Sequence, residues 1–244
     1  MTSLLTHLRL LQGSLRTRGV RGTLARAWRI VAQWGELRRK SRADRAFDRE
    51  HGVDTATWVR VPDLDTASEN VEHAVRYEPS SVTEFELLMD KLRVDHSDFA
   101  FVDYGSGKGR VLMLAAEYPF KRIVGVEFAR SLLEISHENI ATLGPDAGRI
   151  ETVHADATEF DPPSDPLVLY FFHPFGVPAL KQVLERILGS LARDPRPAYV
   201  VLTGPPDFAE AVEESGFRRV DVDELGWMTR GVFVAPTNGR APQA

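Results

Sequence analysis

The chain contains no cysteine. That excludes a disulfide framework, a cysteine-ligated zinc site, an iron–sulfur cluster and a thiol nucleophile. Long apolar runs are also missing; none approaches the roughly 20 residues that a membrane-spanning helix requires. Lysine is scarce, 5 residues against 25 arginines, so arginine in any one segment is partly background. Acidic residues are absent from the first 30 positions. What remains is globular composition: 244 residues, 43% hydrophobic and 27% charged, enough for one domain with its own core and an appendage.

The formal net charge of −5 conceals a split. Residues 1–50 carry 12 Lys+Arg and 4 Asp+Glu, a local balance of +8, while the other 194 residues carry −13. The acidic body speaks against general nucleic-acid coating. The basic arm predicts either contact with an anionic surface (membrane, nucleic acid or acidic partner) or a helix packed on the body. Leu24, Ala27, Trp28, Val31 and Trp34 follow helical spacing, with Arg26 and Arg29 off the stripe. Residues 1–50 are therefore read as a basic amphipathic helical extension. Its Arg-rich, acid-free start has the composition of a mitochondrial presequence, but the apolar core and cleavage site of a secretory signal are missing. A cytoplasmic location is the expectation.

Residues 51–79 read as an irregular lead-in covering one edge of the body, with Pro62 and Pro79 as breakers. Ser81 is placed to cap a helix whose face is Phe85, Leu88, Met89 and Leu92. Strands are predicted at Phe99–Asp103, Arg122–Val126, Ile150–His154, Leu167–Phe172 and Tyr199–Thr203. Helices are predicted at Gly109–Tyr118, Ala129–Leu143, Val177–Leu191 and Asp207–Ser215. Leu167–Phe172 is apolar throughout, as a strand covered on both faces must be. Phe217–Val222 and Gly231–Ala235 lie too close together for a helical crossover and should pair antiparallel. This order predicts an α/β fold over residues 80–235. It is Rossmann-like and doubly wound, with a mostly parallel sheet and an antiparallel final strand. Residues 236–244 form a loose tail.

The segment Asp103-Tyr104-Gly105-Ser106-Gly107-Lys108-Gly109-Arg110 joins the first strand to the first helix. Glycines there let the backbone turn sharply and let a ligand approach it. Glu127 ends the second strand, where a carboxylate can hold both hydroxyls of a ribose. A P-loop needs Ser or Thr after its Gly-Lys, and Gly109 stands there instead. A dinucleotide loop needs its third glycine where Arg110 stands, and it does not put an acid ahead of its pyrophosphate. S-adenosylmethionine suits the segment better. It brings a ribose for Glu127, an amino group for Asp103 and a sulfonium in place of phosphates.

Asp103 to Gly109 and Val124-Gly125-Val126-Glu127 resemble the first two motifs of class I (seven-β-strand) S-adenosylmethionine-dependent methyltransferases. Tyr77-Glu78-Pro79, the Gly-Ser-Gly core and Gly-Val-Glu are more narrowly similar to the histone-lysine (disruptor-of-silencing type) branch and its bacterial relatives. The resemblance implies S-adenosyl-L-methionine as cofactor, held by Tyr77, Asp103, Gly105, Ser106, Gly107, Gly109, Glu127, Phe128, Asp156 and Ala157. It sets Glu127 on the ribose and Asp156-Ala157 at the adenine edge. Asp156 has a plainer reading as a loop acid or helix cap.

The resemblance places the acceptor pocket at His173-Pro174-Phe175-Gly176, where related enzymes often read Asn/Asp-Pro-Pro-Tyr. His173 cannot offer the paired amide-like contacts of Asn, which speaks against adenine and glutamine acceptors. Its imidazole can take a proton from an amine or hydroxyl, or it can be a turn residue held by backbone bonds. Phe175 is expected to wall the pocket. No metal site is expected, and Lys108 and Arg110 are read by default as solvated charges. The reaction read from this pattern is in-line methyl transfer to an unidentified acceptor, a protein side chain or small molecule, with amine or hydroxyl favoured. Two alternatives stay open: an NAD(P)-dependent oxidoreductase, and a non-catalytic nucleoside-binding module recruited by its basic arm.

Overall fold

The structure, a computed structural model, describes residues 42–59 and 77–236. The predicted Trp stripe of the arm and the tail beyond residue 236 lie outside the described residues. The chain divides into two compact units, Met1–Arg45 and Ala46–Ala244. Residues 42–45, the described end of the first unit, are helical.

In the second unit, residues 46–51 are helical (α1). There follow α2 (Val82–Lys91), β1 (Ala100–Tyr104), α3 (Arg110–Ala116), β2 (Arg122–Glu127), α4 (Arg130–Ala141) and β3 (Ile150–His154). The second half contains β4 (Leu167–Phe172), α5 (Val177–Arg193), β5 (Ala198–Gly204), α6 (Pro206–Glu214), β6 (Arg218–Glu224) and β7 (Thr229–Val234). Seven strands form one sheet in the order β3-β2-β1-β4-β5-β7-β6. The first five are parallel, and β7 runs antiparallel to both β5 and β6. This is the predicted doubly wound α/β fold, including its antiparallel end.

Burial explains the strands. All five residues of β1 and the first five of β4 are buried, because helices cover both faces of the sheet. Side chains alternate between the faces. Val102, Tyr104, Leu169 and Phe171 pack towards α5 and α6, while Phe101, Val168 and Tyr170 pack towards α2 and α3. By the same alternation Asp103 belongs to the α2–α3 side. The stripe Leu180, Val183, Leu184 and Ile187 holds α5 to the sheet.

Element ends shift by one or two residues from the sequence expectation. Ser81 occupies the cap position of α2, but its side chain makes no capping bond. The described part of the lead-in packs on the start of α3 and on α4. Asn139 of α4 accepts from the Asp54 amide at 3.0 Å and donates to the carbonyls of Asp54 (3.0 Å) and Lys108 (2.9 Å). The chain leaves β1 towards β2 and β3 on one side and returns to β4 on the other. The carboxyl ends of β1 and β4 therefore frame the crevice where such sheets bind ligands.

Candidate functional site

At the end of β1 the chain turns back under itself. The amides of Gly105 and Ser106 both donate to the Val126 carbonyl, at 2.8 and 3.0 Å. Gly105 and Gly107 have φ of +81° and +52°, the left-handed region where a side chain is strained. Space forbids one as well. A methyl on Gly107 would overlap the Tyr77 ring, and one on Gly105 would overlap Pro174.

Glu127 ties this loop to β2. Its two carboxylate oxygens accept from the amides of Gly107 and Ala129, each at 2.8 Å. Burial raises its pKa, and the backbone donors oppose the rise. Asp103 is also buried, 3% exposed, but makes no hydrogen bond to any described residue. Burial, with the charge of Glu127 beside it, pushes its carboxyl well above the ordinary range. A buried carboxylate without a partner is costly. It lines a small cleft together with Tyr77, Glu78, Ser80, Gly105, Ser106, Arg110 and Phe172.

Lys108 and Arg110 are not the solvated charges expected. Each is 2% exposed. Lys108 Nζ pairs with Asp54 at 2.9 Å. Arg110 donates to Thr55 Oγ1 at 2.7 Å, to the Ser80 carbonyl at 3.3 Å and to Asp48 at 3.1 Å. The sequence pattern missed Asp48, Thr55 and Ser80, because their partners lie 30 to 62 positions away. Their one sequence signal was the lone arginine at the start of an otherwise apolar helix.

The other expected site residues separate into two groups. Tyr77 stands against Gly107, and its hydroxyl donates to the Thr55 carbonyl at 2.8 Å. Asp156 follows β3 and accepts from the amide (2.9 Å) and hydroxyl (2.7 Å) of Thr158, as a loop acid does. Phe128 is half-buried after Glu127, and its carbonyl lies 3.0 Å from His154 Nε2. Ala157 is half-buried against the core.

At the end of β4 His173 has φ +42°, unusual for a residue with a side chain, and its amide donates to the Thr203 carbonyl at 2.9 Å. Its ring meets Phe208 edge-on at 5.0 Å. Pro174 packs on Gly105. Phe175 leans on Phe171 of the core, with centroids 6.3 Å apart, so Phe172 is the phenylalanine of the cleft wall instead. Beside it Thr203 donates to Glu84 at 3.2 Å, a carboxylate the sequence did not single out. Among the described residues no three His, Asp or Glu side chains cluster as a metal site, and no helix is long and apolar enough to cross a membrane.

Residues 101–194 match the family described as a methyltransferase domain. The matched stretch runs from β1 through α5 and so contains the glycine loop, Asp103, Glu127 and His173. No curated protein matches the sequence. Among solved structures, a SAM-dependent methyltransferase from Aquifex aeolicus is similar at 15% identity and TM-score 0.48, over 63% of this chain and 90% of that one. Ribosomal protein L11 methylase from Lactobacillus delbrueckii subsp. bulgaricus is similar at 14% identity and TM-score 0.48, over 63% and 77%. Geranyl diphosphate C-methyltransferase from Streptomyces coelicolor, in complex with Mg2+, geranyl diphosphate and S-adenosyl-L-homocysteine, is similar at 11% identity and TM-score 0.47, over 63% and 78%. Likenesses of this degree say nothing of what this chain acts on.

Proposed function

We propose that the chain is an S-adenosylmethionine-dependent methyltransferase whose acceptor presents an amine or a hydroxyl. The observation that carries this reading is the buried Asp103 at the glycine turn, which has no hydrogen-bond partner among the described residues. It fits a ligand that brings a positive ammonium, and it would repel the pyrophosphate of a dinucleotide. Glu127 fits the same ligand. Its oxygens take the backbone donors of Gly107 and Ala129, with Phe128 a further donor, and a carboxylate's four lone pairs still leave acceptor capacity for a ribose hydroxyl.

When bound, this cofactor supplies a methyl group on a sulfonium; an acceptor lone pair takes the methyl as the carbon–sulfur bond breaks and its electron pair stays on sulfur. The work left to the protein is alignment and exclusion of water, which can supply on the order of 7–11 kcal/mol of a barrier. Asp103, Glu127 and the Gly105–Gly109 backbone fix the cofactor side. Phe172 closes the cleft towards β4. The imidazole of His173, at the end of β4, is the group we assign to receive a proton released by an amine or hydroxyl.

Calorimetry with S-adenosylhomocysteine tests the assignment. The wild-type chain should bind it, and Asp103→Ala and Glu127→Ala should each weaken binding about 10- to 100-fold, the worth of a hydrogen bond to a charged group. Equal affinity in both variants, or preference for NAD(P), refutes it.

A further inference from the structure

The part of the cleft wall that lies outside the matched stretch 101–194 is itself held by a buried polar cluster. Asp48 accepts four hydrogen bonds. One oxygen takes the amides of Thr55 (2.9 Å) and Ala56 (2.7 Å), and the other takes the Thr55 hydroxyl (2.5 Å) and Arg110 Nη2 (3.1 Å). Thr55 is fully buried. Its hydroxyl gives its one proton to Asp48 and accepts from Arg110 Nε, and its carbonyl accepts from the Tyr77 hydroxyl. Tyr77 is anchored a second time through its backbone. Its amide donates to the Val59 carbonyl at 2.9 Å, and its carbonyl accepts from the Val59 amide at 3.3 Å. The Arg110 guanidinium also lies over the Phe47 ring, 5.2 Å from its centroid.

The result is a chain of contacts from Asp48 through Thr55 to Tyr77, whose ring rests on Gly107, and through Arg110 to the same cleft. We propose that Asp48 and Thr55 are positioning residues of the binding cleft. They set the Tyr77 ring against Gly107 and hold Arg110 in the wall, so the segment from Asp48 to Val59 is a working part of the site and not a lead-in to it. That the ligand is S-adenosylmethionine rests on the functional reading above; the clamp itself does not.

Two measurements on the full chain separate the two. The first needs no ligand. Hydrogen exchange at the amides of residues 105–109 should quicken at least about tenfold in Tyr77→Phe and in Asp48→Asn, with β4 and β5 unmoved. The second is the dissociation constant for S-adenosylhomocysteine beside the melting temperature. Tyr77→Phe removes only the bond to Thr55, so it should leave the melting temperature nearly unchanged and weaken binding about tenfold. The Asp48→Asn, Tyr77→Phe double variant should bind no worse than the weaker single variant, because both break one chain of contacts. Thr55→Ser keeps the hydroxyl and should bind like wild type.

Unchanged exchange and unchanged affinity in Tyr77→Phe overturn the clamp. So do losses that multiply in the double variant. Should Asp48→Asn fail to fold, Tyr77→Phe and Thr55→Ser decide alone. A wild-type chain that does not bind S-adenosylhomocysteine overturns the functional reading, and the exchange measurement still decides the clamp.

Discussion

The carboxyl edge of the sheet has two halves built on opposite terms. On the β2–β1 side the backbone turns through glycine-only conformations, and a buried acid goes unanswered among the described residues. Three successive glycines, Gly105, Gly107 and Gly109, sit at positive φ, and Asp103 is buried with no hydrogen-bond partner among the described residues. On the β4–β5 side the polar groups at the strand ends of His173 and Thr203 are answered locally. The His173 amide meets the Thr203 carbonyl, the Thr203 hydroxyl meets Glu84, and the imidazole lies on Phe208. An uncompensated charge in a cleft implies a ligand that compensates it. A satisfied surface implies none in particular. The first half therefore reports the sign of the charge it would bind, and the second reports no partner.

The sharpest way to break this comparison is to fill the turn. Gly107→Ala adds a methyl where the Tyr77 ring already lies, at a backbone angle that costs about 1–2 kcal/mol for an L-residue. We expect S-adenosylhomocysteine binding to fall by at least about 100-fold in calorimetry, more than 2.7 kcal/mol. Gly144→Ala is the matched control. It has φ +59° and nothing within 4 Å of the added carbon, so it should lose only the backbone term and keep its affinity.

Next comes the contrast between two aspartates, Asp48 half-buried and Asp103 buried. Asp48 is over-supplied with donors. Burial alone would raise its pKa, but the Thr55 hydroxyl, the Ala56 and Thr55 amides and Arg110 hold it below the ordinary value. Asp48→Asn should cost about 2–3 kcal/mol in urea unfolding, since charge-assisted bonds are lost. Asp103→Asn should do the reverse. It removes a carboxyl whose ionisation burial opposes, so above the raised pKa the free protein should gain of order 1 kcal/mol while ligand affinity falls. A variant that loses both stability and affinity would make Asp103 a structural residue.

Most of the first half was legible in the sequence because its signals are local. Glycines two apart and acids at strand ends need no tertiary knowledge, and the strand order follows from apolar runs separated by helical patterns. Arg110 was misread because its burial depends on Asp48 and Thr55, more than fifty positions upstream and folded back onto α3. Phe175 is a different case. Four aromatic or ring residues follow one another from Phe171 to Pro174, and only the pleat and the turn at His173 decide which ring faces the cleft.

Proton linkage sharpens the contrast with a smaller effect. The Asp103 carboxyl titrates above its unfolded value, so its contribution to the free protein's stability is lost as pH rises from the ordinary carboxylate range through that raised value. Asp48 titrates below its unfolded value, so its contribution is present above the ordinary range and lost as pH falls through the lowered value. A ligand ammonium selects the ionised Asp103. Binding should then release up to about one proton at pH values below the raised pKa, and affinity should climb with pH across that window. Calorimetry in two buffers of different ionisation enthalpy measures the proton, and Asp103→Asn should abolish it.

The smallest expected effect lies at His173. Its left-handed backbone costs an L-residue about 1–2 kcal/mol, and asparagine tolerates that region better than most. If the strain is uncompensated, His173→Asn should raise the melting temperature by about 2–4 °C, the shift that 1 kcal/mol brings to a chain of this size. Affinity for S-adenosylhomocysteine should stay within about twofold, since the residue stands on the acceptor side. A fall in melting temperature instead would mean that the edge-on contact with Phe208 outweighs the strain. In that event the imidazole is fixed by packing, and the β4–β5 half owes its shape to the core beneath it, with no part of that shape held in reserve for an acceptor.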